Sequence, residues 1–189
     1  MFKKKRLRDV IYDEEKIEGL IRQNYADIYK YCFYHVGNRE TAQDLTQDVF
    51  LKFLSRLDDY YEYGKLKNYL YIVAKHAIAD YFRRPKEVSL DEVEEKTSDD
   101  GMEKIPVRVD ILQVLNLLDS FEKELIILRY YQDLRIKDIA QILDMPVSTI
   151  RYKIKKAEMT IKNKLDIGDQ KYEGQTIKKK VRSIRSASI

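Results

Sequence analysis

The chain has 189 residues, 44% of them hydrophobic, with 36 basic against 32 acidic side chains and a formal charge of +4. That is enough for one domain or two small ones, and we expect two. The single cysteine, Cys32, excludes an intramolecular disulfide framework and fits a reducing compartment. No apolar run approaches the roughly 20 residues that cross a bilayer, and the opening MFKKKRLRDV lacks the apolar core of a secretory signal. A cytoplasmic protein without membrane insertion is expected.

Only six glycines and three prolines, with abundant Leu, Ile, Lys and Glu, predict an all-α fold. In chain order, Ile17, Leu20, Ile21, Ile28, Tyr31 and Cys32 recur at helical spacing until Gly37-Asn38, a pair that tolerates a left-handed cap. Cys32, between Tyr31 and Phe33, reads as a buried thiol. In RETAQDLTQDVFLKFLSRL, an apolar stripe of Ala42, Leu45, Val49, Phe53 and Leu57 leaves Glu40, Gln43, Asp44, Gln47 and Asp48 on the other side. DYYEYGKLK breaks the periodicity around Gly64. NYLYIVAKHAIADYFRR resumes it through Leu70, Val73, Ala77 and Tyr81, and Pro85 stops it.

Residues 86–110, KEVSLDEVEEKTSDDGMEKIPVRVD, are acidic and turn-rich and read as a flexible linker. Charge follows the same divisions. Residues 1–84 hold 16 basic and 13 acidic side chains, residues 85–117 hold 4 and 9, residues 118–165 hold 10 and 7, and residues 166–189 hold 6 and 3. Two weakly basic blocks flank an acidic strip and precede a basic tail, a layout for touching a polyanion at separate places. ILQVLNLLDSFEKELIILRYY is strongly apolar at helical spacing. RIKDIAQILDM and PVSTIRYKIKKAEMTIKNKL then supply two helices around a short turn, while the tail 166–189 loses the pattern and reads as disordered.

Two helices joined by so short a turn, the second basic and hydroxyl-bearing, form a helix-turn-helix signature. Ile139, Ala140 and Leu143 would pack the first helix, and Val147, Ile150 and Ile154 the second. The opposite face shows Ser148, Thr149, Arg151, Tyr152, Lys153, Lys155 and Lys156. Hydroxyls near a helix start can meet phosphate or base edges, arginine can fork onto guanine, and lysines neutralise backbone charge. The bland alternative is the solvated face of a helical hairpin.

The stretch LDSFEKELIILRYYQDLRIKDIAQILDMPVSTIRYKIKKAEMTIKNKL resembles region 4 of the extracytoplasmic function (ECF) group of bacterial RNA polymerase sigma factors. YADIYKYCFYHVGNRETAQDLTQDVFLKFLSRL, followed by LKNYLYIVAKHAIADYFRR, resembles their region 2. The resemblance implies two small helical domains, region 2 in 1–85 and region 4 in 111–165, on a flexible linker. It implies that Asp44, Leu45, Gln47, Asp48 and Phe50, matching the family's DLxQ(D/E)xF pattern, dock on the β′ coiled coil of core RNA polymerase. Carboxylates and amides beside an exposed aromatic suit an arginine-rich partner helix.

By the same resemblance, a loop from about Asp59 to Lys67 holds a flipped base of the −10 element. Its Tyr60, Tyr61, Tyr63, Lys65 and Lys67 supply aromatic faces and cations. The following helix would contact the −10 edge through Lys75, His76, Asp80, Arg83 and Arg84. Independently of the resemblance, tyrosines in a helical bundle are usually core, and Tyr69 is expected to be one of these. Region 4 would read the −35 element and pack near the β flap. Promoter DNA, core polymerase and an anti-sigma factor are the implied partners, with neither cofactor nor catalytic activity. The family usually has tryptophan at Tyr69, asparagine at His76 and often glycine at Asp144.

Three rivals remain at this point. A plain helix-turn-helix regulator binding DNA without polymerase has no use for the Asp44/Gln47/Asp48 face or the tyrosine-rich loop. A metal-dependent hydrolase could use Glu40, Asp44 and Asp48, but no second cluster accompanies them, since His35 and His76 are the only histidines. A pure interaction module has no need of the basic helix.

Overall fold

In a computed structural model, residues 14–57, 65–84 and 109–166 are described, and their regular elements are all helices, without strands. Three long helices make the first unit: α1 (Glu14–Val36), α2 (Arg39–Ser55) and α3 (Leu66–Arg83). α1 stops where Gly37 takes φ +76°, its N–H bonding to the Phe33 carbonyl at 2.8 Å. Asn38 then caps α2, its Oδ1 accepting from the Thr41 N–H at 2.9 Å. The chain thus reverses in two residues, and α1 and α2 become antiparallel neighbours.

The predicted stripe on α2 is the buried one: Ala42, Leu45, Val49 and Phe53 pack against Ile28, Tyr31 and Cys32 of α1 and Leu70, Ala74 and Ala77 of α3. Ala42 and Ala74 let the helix axes approach. Thr46, polar but buried, returns its hydroxyl proton to the Ala42 carbonyl at 2.6 Å.

The apolar run after the linker is not one helix. α4 (Val109–Leu115) ends before Asp119, and α5 (Ser120–Ile126) starts there because the Asp119 carboxylate accepts from the Glu122 N–H at 2.7 Å. Asp followed three residues later by Glu is a helix-start signal that the apolar periodicity masks. α5 widens into a π turn over Ile127–Tyr131, closed by the Gln132 N–H to the Ile127 carbonyl at 3.0 Å.

α6 (Ile136–Ile142) and α7 (Val147–Asp166) follow as the helix-turn-helix. Between them Asp144 adopts φ +51°, the Met145 N–H reaches back to the Ala140 carbonyl at 2.9 Å, and the Asp144 N–H approaches the Gln141 carbonyl at 3.4 Å. This is a Schellman cap, and its left-handed position explains the preference for glycine there. Ile139, Ala140, Ile150 and Ile154 are buried as expected, and Leu143 and Val147 are half-buried.

The two units do not stand apart. Their buried apolar residues form one contiguous cluster, and polar groups meet across the seam. Tyr31 donates to Glu124 Oε1 at 2.6 Å, Tyr71 donates to Gln132 Oε1 at 2.8 Å, and the Tyr34 and Tyr131 rings lie 4.9 Å apart. Most of the acidic linker and the basic tail lie outside the described residues.

Candidate functional site

Three surfaces carry the residues singled out by sequence. On α2, Asp44, Gln47 and Asp48 are exposed along one face. Leu45 and Phe50 are not: they are 6% and 5% exposed, and Phe50 stacks on Tyr25 of α1 with ring centroids 5.9 Å apart. The expectation of an exposed aromatic at Phe50 is therefore corrected. The apolar part of this face comes from Leu51 and Leu54, 63% and 38% exposed. Their position off the Ala42/Leu45/Val49/Phe53 stripe was the available signal, and sequence reasoning passed over it. Among the described residues no group of carboxylates, histidines and cysteine is placed to hold a metal, Glu40, Asp44 and Asp48 included.

The second surface is α3 and its approach. Tyr60, Tyr61 and Tyr63 lie outside the described residues. Lys67 is half-buried against Asp27 of α1, Nζ to Oδ2 2.5 Å. Lys65 donates to Gln141 Oε1 at 2.6 Å, and Lys75 to the Ile142 carbonyl at 3.3 Å, both on α6. Between them Asn68, buried, divides its amide between Asp138 Oδ1 and Gln141 Oε1, each at 3.2 Å. His76, Asp80, Arg83 and Arg84 stay exposed, with Asp80 and Arg83 paired at 3.2 Å. Tyr69 is half-buried against Phe53, and Tyr71 is the fully buried tyrosine of this helix.

The third surface is α7. Ser148, Arg151, Tyr152, Lys155 and Lys156 are exposed on one face, and Met159, 57% exposed, extends it by a turn. Thr149 is half-buried. Lys153 is half-buried with its ammonium 4.9 Å from the centre of the Phe121 ring, which gives it a structural contact inside the unit. Glu122 accepts from Thr160 at 3.0 Å and Tyr130 donates to Glu158, so the far face of α7 is pinned to α5 and the π turn.

At the seam, Glu124 is buried with Tyr31 on one oxygen and His35 Nε2 2.8 Å from the other, off the line of a hydrogen bond. Lys123 donates to the His35 carbonyl at 3.3 Å, and burial pushes its pKa down. Burial, and then the Glu124 charge, hold the Tyr31 hydroxyl well above its ordinary value.

Residues 20–87 match Sigma-70 region 2 and residues 108–161 match Sigma-70 region 4. The chain is 30% identical over 160 residues to the RNA polymerase sigma factor YlaC of Bacillus subtilis, covering 80% of this chain and 92% of that one. It is 25% identical over 183 residues to the ECF RNA polymerase sigma factor SigW of the same organism, covering 87% and 97%. Its fold matches the sigma factor RpoE of Bartonella quintana, solved in complex with the anti-sigma factor NepR, with TM-score 0.65, 18% identity, and coverage of 82% of this chain and 99% of that one. A helix-turn-helix with a basic face, joined to a three-helix unit with an acidic one, is thus accounted for: the chain belongs to the ECF group of RNA polymerase sigma factors, subunits that join core RNA polymerase for transcription initiation at promoters.

Proposed function

We propose that three surfaces divide the work of this sigma factor. The exposed α2 face of Asp44, Gln47 and Asp48, continued by Leu51 and Leu54, docks on an arginine-bearing coiled coil of core polymerase. The α3 end, with Lys65, Lys67, Lys75, His76, Asp80, Arg83 and Arg84 and the tyrosine-rich sequence before it, takes the −10 element. The α7 face of Ser148, Thr149, Arg151, Tyr152, Lys155 and Lys156 takes the −35 element, with Lys153 partly committed to Phe121. The chain contributes binding and base capture, acts in the cytoplasm, and leaves catalysis to the polymerase.

The carrying observation is the helix-turn-helix on the same chain as a separate, exposed acidic-apolar helix face. A regulator that binds DNA alone has no use for the second surface. RpoE is held by an anti-sigma factor, and a partner of that kind that covers α2 and α7 would silence this chain too. Asp44→Lys with Asp48→Lys sets like charges against the partner and should reduce co-purification with core polymerase at least ten-fold, about 1.4 kcal/mol or more. Undiminished co-purification with unchanged helicity would refute the α2 assignment.

A further inference from the structure

The exposed face of α2 changes character along its length. Glu40, Asp44, Gln47 and Asp48 stand out of its first half, and Leu51 and Leu54 follow on the same side, so an anionic stretch runs into an apolar one. A segment that fits this face brings cations and an apolar stripe together. The chain carries such a segment itself. Residues 176–189, TIKKKVRSIRSASI, hold five cations and no carboxylate, and Ile177, Val181 and Ile184 recur at i, i+4 and i+7. The opening KKKRLR is as basic, but Asp9, Asp13, Glu14 and Glu15 follow it closely.

We propose that residues 177–185 dock on the α2 face of their own chain, with Ile177, Val181 and Ile184 on Leu51 and Leu54 and the basic side chains against Glu40, Asp44 and Asp48. Reach is sufficient. α7 ends at Asp166, and residues 167–176 extend to about 33 Å, close to the roughly 35 Å length of the 23-residue α1. A tethered segment acts at an effective concentration on the order of millimolar, so a fit too weak to hold between two molecules still occupies the face within one. The tail thereby offers α2 the same chemistry as the polymerase coiled coil proposed above, and the two compete. The competition rests on that role of α2, whereas the contact itself does not.

The contact is read by carbodiimide coupling of the full-length protein at a dilution where it is monomeric, which joins lysine ammoniums to carboxylates they touch, with the links mapped by mass spectrometry. Links from Lys178, Lys179 or Lys180 to Glu40, Asp44 or Asp48 are expected, fading at high salt. The competition is read by titrating core polymerase. Ile177→Ser with Val181→Ser and Ile184→Ser keeps every charge, should remove the links, and should tighten core binding about five-fold if the native face is open about one-fifth of the time. Lys178→Glu with Lys179→Glu and Lys180→Glu should tighten it in the same direction. Retained helicity shows that the variants are folded.

No such links, links from Lys3, Lys4 or Lys5 in their place, or links found only between molecules overturn the proposal. Weaker core binding by the serine variant overturns it as well, because the tail would then be holding polymerase and not α2. Links as expected with core affinity unchanged leave the contact standing and refute instead the polymerase role of α2.

Discussion

At the residue scale, the groups with displaced protonation cluster where α1 meets its neighbours. Burial raises the Cys32 thiol to about 12, and burial also raises the Tyr31 and Tyr71 hydroxyls. A group whose folded pKa is raised contributes stability that is intact below its unfolded pKa and is lost as pH rises through the folded one. For Cys32 the window runs from about 9 to about 12. Within it, this thiol alone should remove about 1.4 kcal/mol per pH unit, and the tyrosines add to the loss from about pH 10.

Urea midpoints measured across that range should fall steadily above pH 9, with a shallower decline in Cys32→Ala. Native Cys32 should also resist thiol reagents at pH 8 until the chain unfolds. A buried thiol was legible from Tyr31 and Phe33 beside it. The importance of Tyr71 over Tyr69 was not, because Tyr71 is covered by Gln132, 61 positions away.

At the element scale, the helix-turn-helix depends on one backbone conformation. Asp144 at φ +51° sits where an L side chain costs of order 1 kcal/mol, and aspartate bears this better than most. Asp144→Gly should leave stability unchanged or raise it by up to about 1 kcal/mol, whereas Asp144→Val should lower it by about 1–2 kcal/mol. Urea denaturation of the full chain distinguishes the two.

On α7, Arg151→Ala should relax sequence preference for the −35 element. Lys156→Ala should weaken binding to all duplexes alike and flatten the salt dependence by about one phosphate contact. Competition binding against scrambled duplexes at two salt concentrations checks both. The seven-residue α6 and twenty-residue α7 were visible in the sequence through Ile139, Ile150 and Ile154. The break between α4 and α5 was obscured because Leu117, Leu118 and Phe121 continue the apolar texture across Asp119.

At the scale of the whole molecule, the sequence displayed two units and the structure shows how they share a core. Periodicity reports which side of a helix is apolar, but it cannot say which neighbour will cover it. Tyr31 therefore reads as an ordinary member of a three-helix unit, although its hydroxyl meets Glu124 of α5, while the Tyr34 ring meets Tyr131 of the π turn and the Tyr71 hydroxyl meets Gln132 just after it. The polar members of the seam, Glu124, Gln132, Asn68 and Gln141, carried no sequence signal, since an isolated polar side chain in an amphipathic helix looks solvated.

Tyr31→Phe deletes the hydrogen bond to buried Glu124 and should cost about 1–3 kcal/mol. The loss should appear in both halves, so that far-ultraviolet circular dichroism and tyrosine fluorescence keep a common urea midpoint. Separate midpoints would show that the seam does not couple the units.

The engagement of Lys65 and Lys75 by α6 also bears on where sigma molecules reside in a cell. A genome offers on the order of a million or more competing nonspecific sites, and lysines left bare would spread a small basic protein along it. With the Lys65 and Lys75 ammoniums held on α6 oxygens, two fewer bare cations tie the free chain to such sites.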